Sequence, residues 1–311
     1  MVQVDLITGF LGAGKTTFLR RYAAYLARQG HRVCILENDF GAVNVDAMLV
    51  QDLLADGCEI ETISGGCDCD THQRRMRTKL ISMAMRGFDR VVVEPSGIFD
   101  VDEFFDVLRD DPLDRWYTIG NVIAIVDAML PETLSPQADY ILASETANAG
   151  IVLLSRSQLT TPERCNAAKA HLTRALAACK CSRSFSEEEI CSKDWNTLTD
   201  KDMAKIASCG HRQASCEKLH FDEHKAFSSA YFLESGLDKA TLTRNIPHLF
   251  RNPDCGEVLR VKGFVQDADR WFKLNATAEG LTASPILQGQ EVLIVIGEGL
   301  NKEQIEAVLR S

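Results

Sequence analysis

The chain has 311 residues, 45% hydrophobic and 25% charged, the proportions of a folded protein and not of a disordered or fibrous one. Lys+Arg 34 against Asp+Glu 44 leaves a net charge of −10, which argues against general binding of nucleic acid or of an anionic membrane surface. No apolar run approaches the ~20 residues of a membrane-spanning helix. The length suits two domains, with a core that needs neither disulfides nor structural metal. The amino terminus does not read as a signal peptide, because Asp5 interrupts it and a Gly-rich motif begins at Gly9. Eleven Cys, odd in number and irregularly spaced, read as thiols in a cytoplasmic protein, with metal or redox chemistry ahead of a disulfide framework.

Residues 2–8 predict a strand that runs into a Gly-rich turn. From Lys15 a helical pattern places Phe18, Tyr22 and Leu26 on one face, with Gly30 positioned to end it. Short apolar runs follow at Val33–Leu36, Val91–Val93, Val122–Val126 and Ile151–Leu154, separated by helical stretches. That alternation predicts an α/β domain with a mostly parallel sheet covered on both faces, over residues 1–160. Residues 161–217 are polar and carry six of the Cys, and read as a connecting or insert segment. A small α+β domain is expected over 218–311, with strands at Lys218–Asp222, Ser228–Leu233, Leu259–Val265 and Val292–Ile296 and a helix from Asp238 to Phe250. Asn301, followed by Gln304, resembles a capping box before Ile305, Val308 and Leu309.

Gly9-Phe10-Leu11-Gly12-Ala13-Gly14-Lys15-Thr16 matches Gly-x4-Gly-Lys-Ser/Thr in full, with a strand before it and a helix after. Glycines let successive backbone N–H groups turn toward a polyphosphate, and the helix N-terminus adds a positive dipole. Gly12, Ala13, Gly14, Lys15, Thr16 and Thr17 are the expected nucleotide-binding residues, with Lys15 on the β- and γ-phosphates and Thr16 on Mg²⁺. Val91-Val92-Val93-Glu94-Pro95-Ser96-Gly97 is a buried strand ending in an acid. Glu94 there suits Mg²⁺, and the Gly97 amide suits a γ-phosphate.

Ser64-Gly65-Gly66-Cys67-Asp68-Cys69-Asp70 sets two thiols two apart, with His72 close behind. Thiolate and imidazole favour Zn²⁺ or another borderline-soft ion such as Co²⁺, and Asp70 can add a ligand. By spacing alone, the signal is weak and ordinary buried thiols are the better reading.

The order of motifs resembles the CobW-like family of P-loop GTPases: the P-loop, then Glu37-Asn38-Asp39-Phe40-Gly41 with Asp46, then Gly66-Cys67-Asp68-Cys69, then Glu94-Pro95-Ser96-Gly97. Arg260-Val261-Lys262-Gly263-Phe264-Val265 and Leu293-Ile294-Val295-Ile296-Gly297 look like that family's second domain. The resemblance covers about residues 1–160 and 218–311. It implies a nucleoside triphosphatase that couples GTP hydrolysis to delivery of Zn²⁺ or Co²⁺ to a client metalloprotein or corrinoid protein, with a homodimer as an implied assembly. It also casts Lys15, Asp46 and Glu94 as catalytic residues, and Glu37, Asp39, Cys67, Cys69, Asp70 and His72 as candidate ligands of the transition metal.

Two departures stand out. The family motif has a third Cys where this chain has Asp70, a harder ligand. The family's guanine-reading Asn-Lys-x-Asp would follow Ile151–Leu154, where this chain has Ser155-Arg156-Ser157-Gln158. Gln158 is neutral and cannot give guanine's N1–H and N2–H the charge-assisted pair that Asp gives, while Arg156 can stack on a base. An ATP-dependent accessory protein for a corrinoid or other metalloenzyme is therefore the first alternative, and a non-hydrolysing metal or redox sensor the second. Elsewhere, Cys179-Lys180-Cys181 with Cys191, Cys209 and His211 could form a second metal site, although the spacings match no standard zinc module. His220 and His224 read as partly exposed, and Arg74, Arg75, Arg77 and Lys79 as a helix's polar face.

Overall fold

The computed structural model describes residues 1–39, 57–64, 69–97, 101–214, 216–217, 227–233, 236–286 and 289–311, with the backbone alone at 38, 39, 64, 69, 70, 72 and 103. The expected strand Lys218–Asp222, together with His220 and His224, lies outside the described residues. Two compact units divide the chain at Met1–Leu219 and His220–Ser311.

The first unit is built on a seven-stranded sheet of order β3-β2-β4-β1-β5-β6-β7, formed by Val2–Thr8, Val33–Asp39, Glu59–Ser64, Arg90–Glu94, Tyr117–Asp127, Ile151–Ser155 and Ile190–Cys191. Every neighbouring pair runs parallel, so all the strands end at one edge, and β1 lies between β4 and β5. In such sheets ligands bind outside the carboxyl ends of the strands, where the chain crosses from one side to the other. Buried β-branched residues such as Val92, Ile123 and Ile125 fill the strands because helices cover both faces.

Helix α1, Lys15–Arg28, buries Phe18, Leu19, Tyr22 and Leu26, the face expected from the period. Asp5 interrupts the apolar run of β1 and is fully buried, but it is not an isolated charge. It accepts from Tyr22 Oη at 2.8 Å, from Asn121 N at 2.8 Å and from Arg90 Nη1 at 2.9 Å. A buried carboxylate is tolerated on those terms and is strongly destabilising without them.

The sheet is wider than the apolar runs indicate. β3 reads Glu-Ile-Glu-Thr-Ile-Ser, too polar to show as an apolar run and placed at the sheet's edge. β7 has only two residues, and lies within the polar Cys-rich stretch. Residues 161–217 thus supply part of the first unit: helix Pro162–Ala178, then β7 paired with β6, then helix Asp200–Ile206.

The second unit is a five-stranded antiparallel sheet of order β11-β10-β9-β12-β8, from Gly280–Ile286, Arg270–Thr277, Glu257–Asp267, Val292–Glu298 and Phe227–Leu233. Helices Lys239–Leu249 and Lys302–Leu309 bury Ile246 and Ile305 in a core with Val261 and Val295. Asn301 caps the last helix by accepting from Gln304 N at 3.3 Å. No described helix is long and apolar enough to cross a membrane.

Candidate nucleotide site

The Gly9–Thr16 loop leaves β1 at its carboxyl end and enters α1. Gly14, at φ +103°, is the N-cap and has no side chain with which to satisfy the first helical N–H groups. No acidic residue stands in the first turn either, so those donors and the dipole are left for an anion. Gly9 sits at φ +138°, and a Cβ there would meet Ile125 O at 2.2 Å. Only glycine lets the loop turn away from β5 at that point.

Lys15, buried at its base, donates from Nζ to Gly9 O at 2.7 Å and so lies back across its own loop. Thr16 Oγ1 donates to Glu94 Oε1 at 2.8 Å. That carboxylate closes β4, and register sets Glu37 of β2 beside it, both residues nearly buried. Gly97 completes the group: a Cβ on it would lie 2.7 Å from Lys15 Nζ and 2.8 Å from Leu11 N. The fold therefore brings Lys15, Thr16, Glu94 and Gly97, named from two separate motifs, to one place. A hydroxyl and a carboxylate within hydrogen-bonding reach of each other form the hard-oxygen donor set that suits Mg²⁺.

Arg156 lies at the end of β6 with φ +56°. Its guanidinium pairs with Asp127 at the end of β5 and donates to Gly12 O at 3.0 Å. It thus ties the P-loop to two strand ends. Gln158 is exposed on the turn Ser157–Leu159, and Ser155 is buried, its Oγ without a hydrogen-bond partner among the described residues.

Asp46 and Cys67 lie outside the described residues, and Asp39, Cys69, Asp70 and His72 are placed by backbone alone. Asp39 ends β2 opposite Ser64 of β3. Cys69, Asp70 and His72 open the helix Cys69–Met85, with Cys69 and His72 one turn apart. Among the described residues no cluster of three His, Cys, Asp or Glu is arranged to hold a metal. Cys191, Cys209 and His211 accordingly do not assemble with Cys179 and Cys181 into the second metal site considered from sequence.

Three residues of the site carry no sequence signal. Glu145, fully buried on helix Pro136–Ala147, accepts from Gly9 N at 2.8 Å and, through its carbonyl, from Thr8 Oγ1 at 2.6 Å. Asp127 partners Arg156. Trp195 follows β7 and sets its ring edge-on to Phe18, with centroids 5.4 Å apart, and close to Gly14. Arg21 holds it there through Trp195 O at 3.1 Å and the Asn196 side chain. Each contact joins residues far apart in sequence, which no local motif can announce.

The profile of the CobW/HypB/UreG nucleotide-binding domain matches residues 3–184, and that of the cobalamin synthesis protein cobW C-terminal domain matches 228–311. Zinc chaperone YjiA of Escherichia coli (strain K12) is 32% identical over 168 residues, 51% of this chain and 50% of that protein. Zinc chaperone YeiR of the same organism is 30% identical over 164 residues, 52% of this chain and 49% of that one. The chain therefore spans about half the length of these curated relatives. The crystal structure of Zn(II)-bound YjiA GTPase from E. coli aligns over 99% of this chain and 98% of that one, at 21% identity and a TM-score of 0.37.

Proposed function

The chain belongs to the CobW/HypB/UreG nucleotide-binding family, and we propose that it is a metal-binding P-loop nucleoside triphosphatase of the GTPase type. It couples nucleotide binding and hydrolysis to delivery of a transition metal, Zn²⁺ or Co²⁺, to a client metalloprotein or corrinoid protein. The observation that carries this reading is the convergence of Lys15, Thr16, Glu94 and Gly97, with Thr16 and Glu94 2.8 Å apart. The names of the curated relatives, zinc chaperones, support the choice of cargo.

Mg²⁺ held by Thr16 and Glu94 would neutralise phosphate charge during transfer. Lys15 exchanges the Gly9 carbonyl for the β- and γ-phosphates, and the α1 N-terminus and loop amides take the remaining oxygens. The Gly97 N–H would take the terminal phosphate, and the close approach of this residue to Lys15 leaves no room for a side chain there. Cys67 and Cys69, with Asp70 or His72, hold the cargo metal at the start of helix Cys69–Met85. Such a set leaves a coordination position open for transfer.

The exposed Gln158 in place of the guanine-reading carboxylate favours a second reading, an ATP-dependent accessory protein for a corrinoid or other metalloenzyme. Titration of GDP and ADP into the purified chain, with and without Zn²⁺ or Co²⁺, together with GTP and ATP turnover, tests both. Turnover accelerated by metal supports the delivery reading. Absence of turnover with either nucleotide overturns it in favour of a sensor.

A further inference from the structure

The helix Pro162–Ala178 ends in a tight turn: Lys180 adopts φ +53°, and Cys181 N donates to Leu176 O at 2.9 Å. The chain returns to this turn after helix Asp200–Ile206. Ala214 N donates to Asn148 Oδ1 at 3.3 Å, and Glu217 N to Cys179 O at 2.8 Å. Lys180 and Glu217 pair at 2.5 Å across the same junction. These bonds hold Cys216 against the turn, where its thiol meets those of Cys179 and Cys181.

The three thiols differ in setting. Cys179 is buried, 8% exposed, and donates to Ala175 O at 3.1 Å, whereas Cys181 and Cys216 are half-buried. The Cys216 S–H bonded to Cys179 holds the Cys179 thiol below its ordinary value, and the same bond pushes Cys216 up. The pair therefore loses one proton readily and keeps the second. By contrast, burial pushes the thiols of Cys34 and Cys209 up to about 12. A metal site is the weaker reading, since no three-ligand cluster arranged for a metal is found among the described residues.

We propose that Cys179 and Cys216 form a dithiol–disulfide couple that exchanges with a low-molecular-weight disulfide. The monothiolate of the pair attacks one sulfur of the incoming disulfide, forming a mixed disulfide and releasing one thiolate, which takes up a proton. The remaining Cys thiol gives up its proton to solvent and displaces the second small thiol as its thiolate, which is protonated in turn. In sum, one external disulfide and two Cys thiols become one Cys179–Cys216 disulfide and two small thiols. The two strands of chain already approach through a backbone hydrogen bond, as cross-linking requires. Once formed, the bond pins the end of the first unit to its helix, just before the second unit begins at His220.

The test is incubation of the reduced full chain with oxidised glutathione, then thiol alkylation, intact mass and tryptic mapping. Cleavage after Lys180 separates Cys179 from Cys181, so the two partners are distinguishable. The expected product has lost two hydrogens and links peptide 175–180 to peptide 213–218. Cys216→Ser should slow loss of thiols at this site at least about tenfold. A dominant link from Cys216 to Cys181, a wild-type protein with no 179–216 link, or an unchanged rate in Cys216→Ser would each overturn the assignment. The wild-type map stands whether or not the variant folds.

Discussion

Thr16 Oγ1 donates to Glu94 Oε1 at 2.8 Å, a bond between side chains 78 positions apart that joins the first turn of α1 to the end of β4. If the two oxygens hold Mg²⁺ as proposed, removing either the charge or the hydroxyl should alter the metal more than the nucleotide. Glu94→Gln keeps the shape and removes the charge. The expected result is Mg²⁺-dependent nucleotide affinity reduced about 10–100-fold, with affinity measured in EDTA changed far less. Equal losses in both conditions would mean that Glu94 acts on the loop itself.

Lys15 and Gly97 provide a paired test of the phosphate cradle. Lys15→Ala removes the cation, and each charge-assisted phosphate contact is worth about 1.5–3 kcal/mol. Nucleotide affinity should fall at least tenfold while the circular dichroism spectrum is kept. Gly97→Ala leaves the charge in place but puts a methyl 2.7 Å from Lys15 Nζ and 2.8 Å from the Leu11 amide. It should therefore weaken the triphosphate more than the diphosphate, measured as the ratio of the two dissociation constants. An unchanged ratio would remove Gly97 from the terminal phosphate.

Base selection is the feature on which resemblance and residues part. With Gln158 exposed and Ser155 in place of Asn, GDP and ADP should differ by less than about tenfold in affinity, or about 1.4 kcal/mol. Ser155→Asn combined with Gln158→Asp should raise the preference for GDP. Trp195, beside Gly14, should report either nucleotide as a change in its emission, which Trp195→Phe abolishes in part. A wild-type preference for GDP above about a hundredfold, or about 2.7 kcal/mol, would place guanine reading elsewhere.

Acid should loosen the first unit through Glu189. The Arg183 side chain bonds Glu189 at 2.9 Å, and this bond holds the carboxyl below its ordinary value of 4.5. Because the folded value is the lower one, the stabilisation is complete above pH 4.5 and is lost as pH falls through the folded value. Glu189→Gln should cost about 1 kcal/mol at pH 7. That corresponds to about 2–4 °C in melting temperature for a unit of this size. The difference should shrink at pH 3–4, and one that grows in acid would contradict the assignment.

The P-loop was legible from eight consecutive residues because its chemistry is local: glycines, a lysine and a hydroxyl in fixed order between a strand and a helix. The face of α1 was legible too, since Phe18, Tyr22 and Leu26 follow the helical period. The buried strands showed as apolar runs, which is what a parallel sheet covered on both faces demands. Outside that reach lay β3, an edge strand too polar to show as an apolar run, and β7, whose two residues are too few to show a period.

The tertiary structure alone decided what surrounds the loop. Glu145 beneath Gly9, Asp127 gripping Arg156 and Trp195 against Gly14 meet only because parallel strands end at one edge. It also decided which of the described Cys are neighbours. Spacing suggested Cys191, Cys209 and His211, but a helix's last turn and a returning loop set Cys216 beside Cys179 instead. Sequence spacing describes geometry only within a turn or two of one element. Beyond that, hydrogen bonds between distant backbone groups determine which side chains meet.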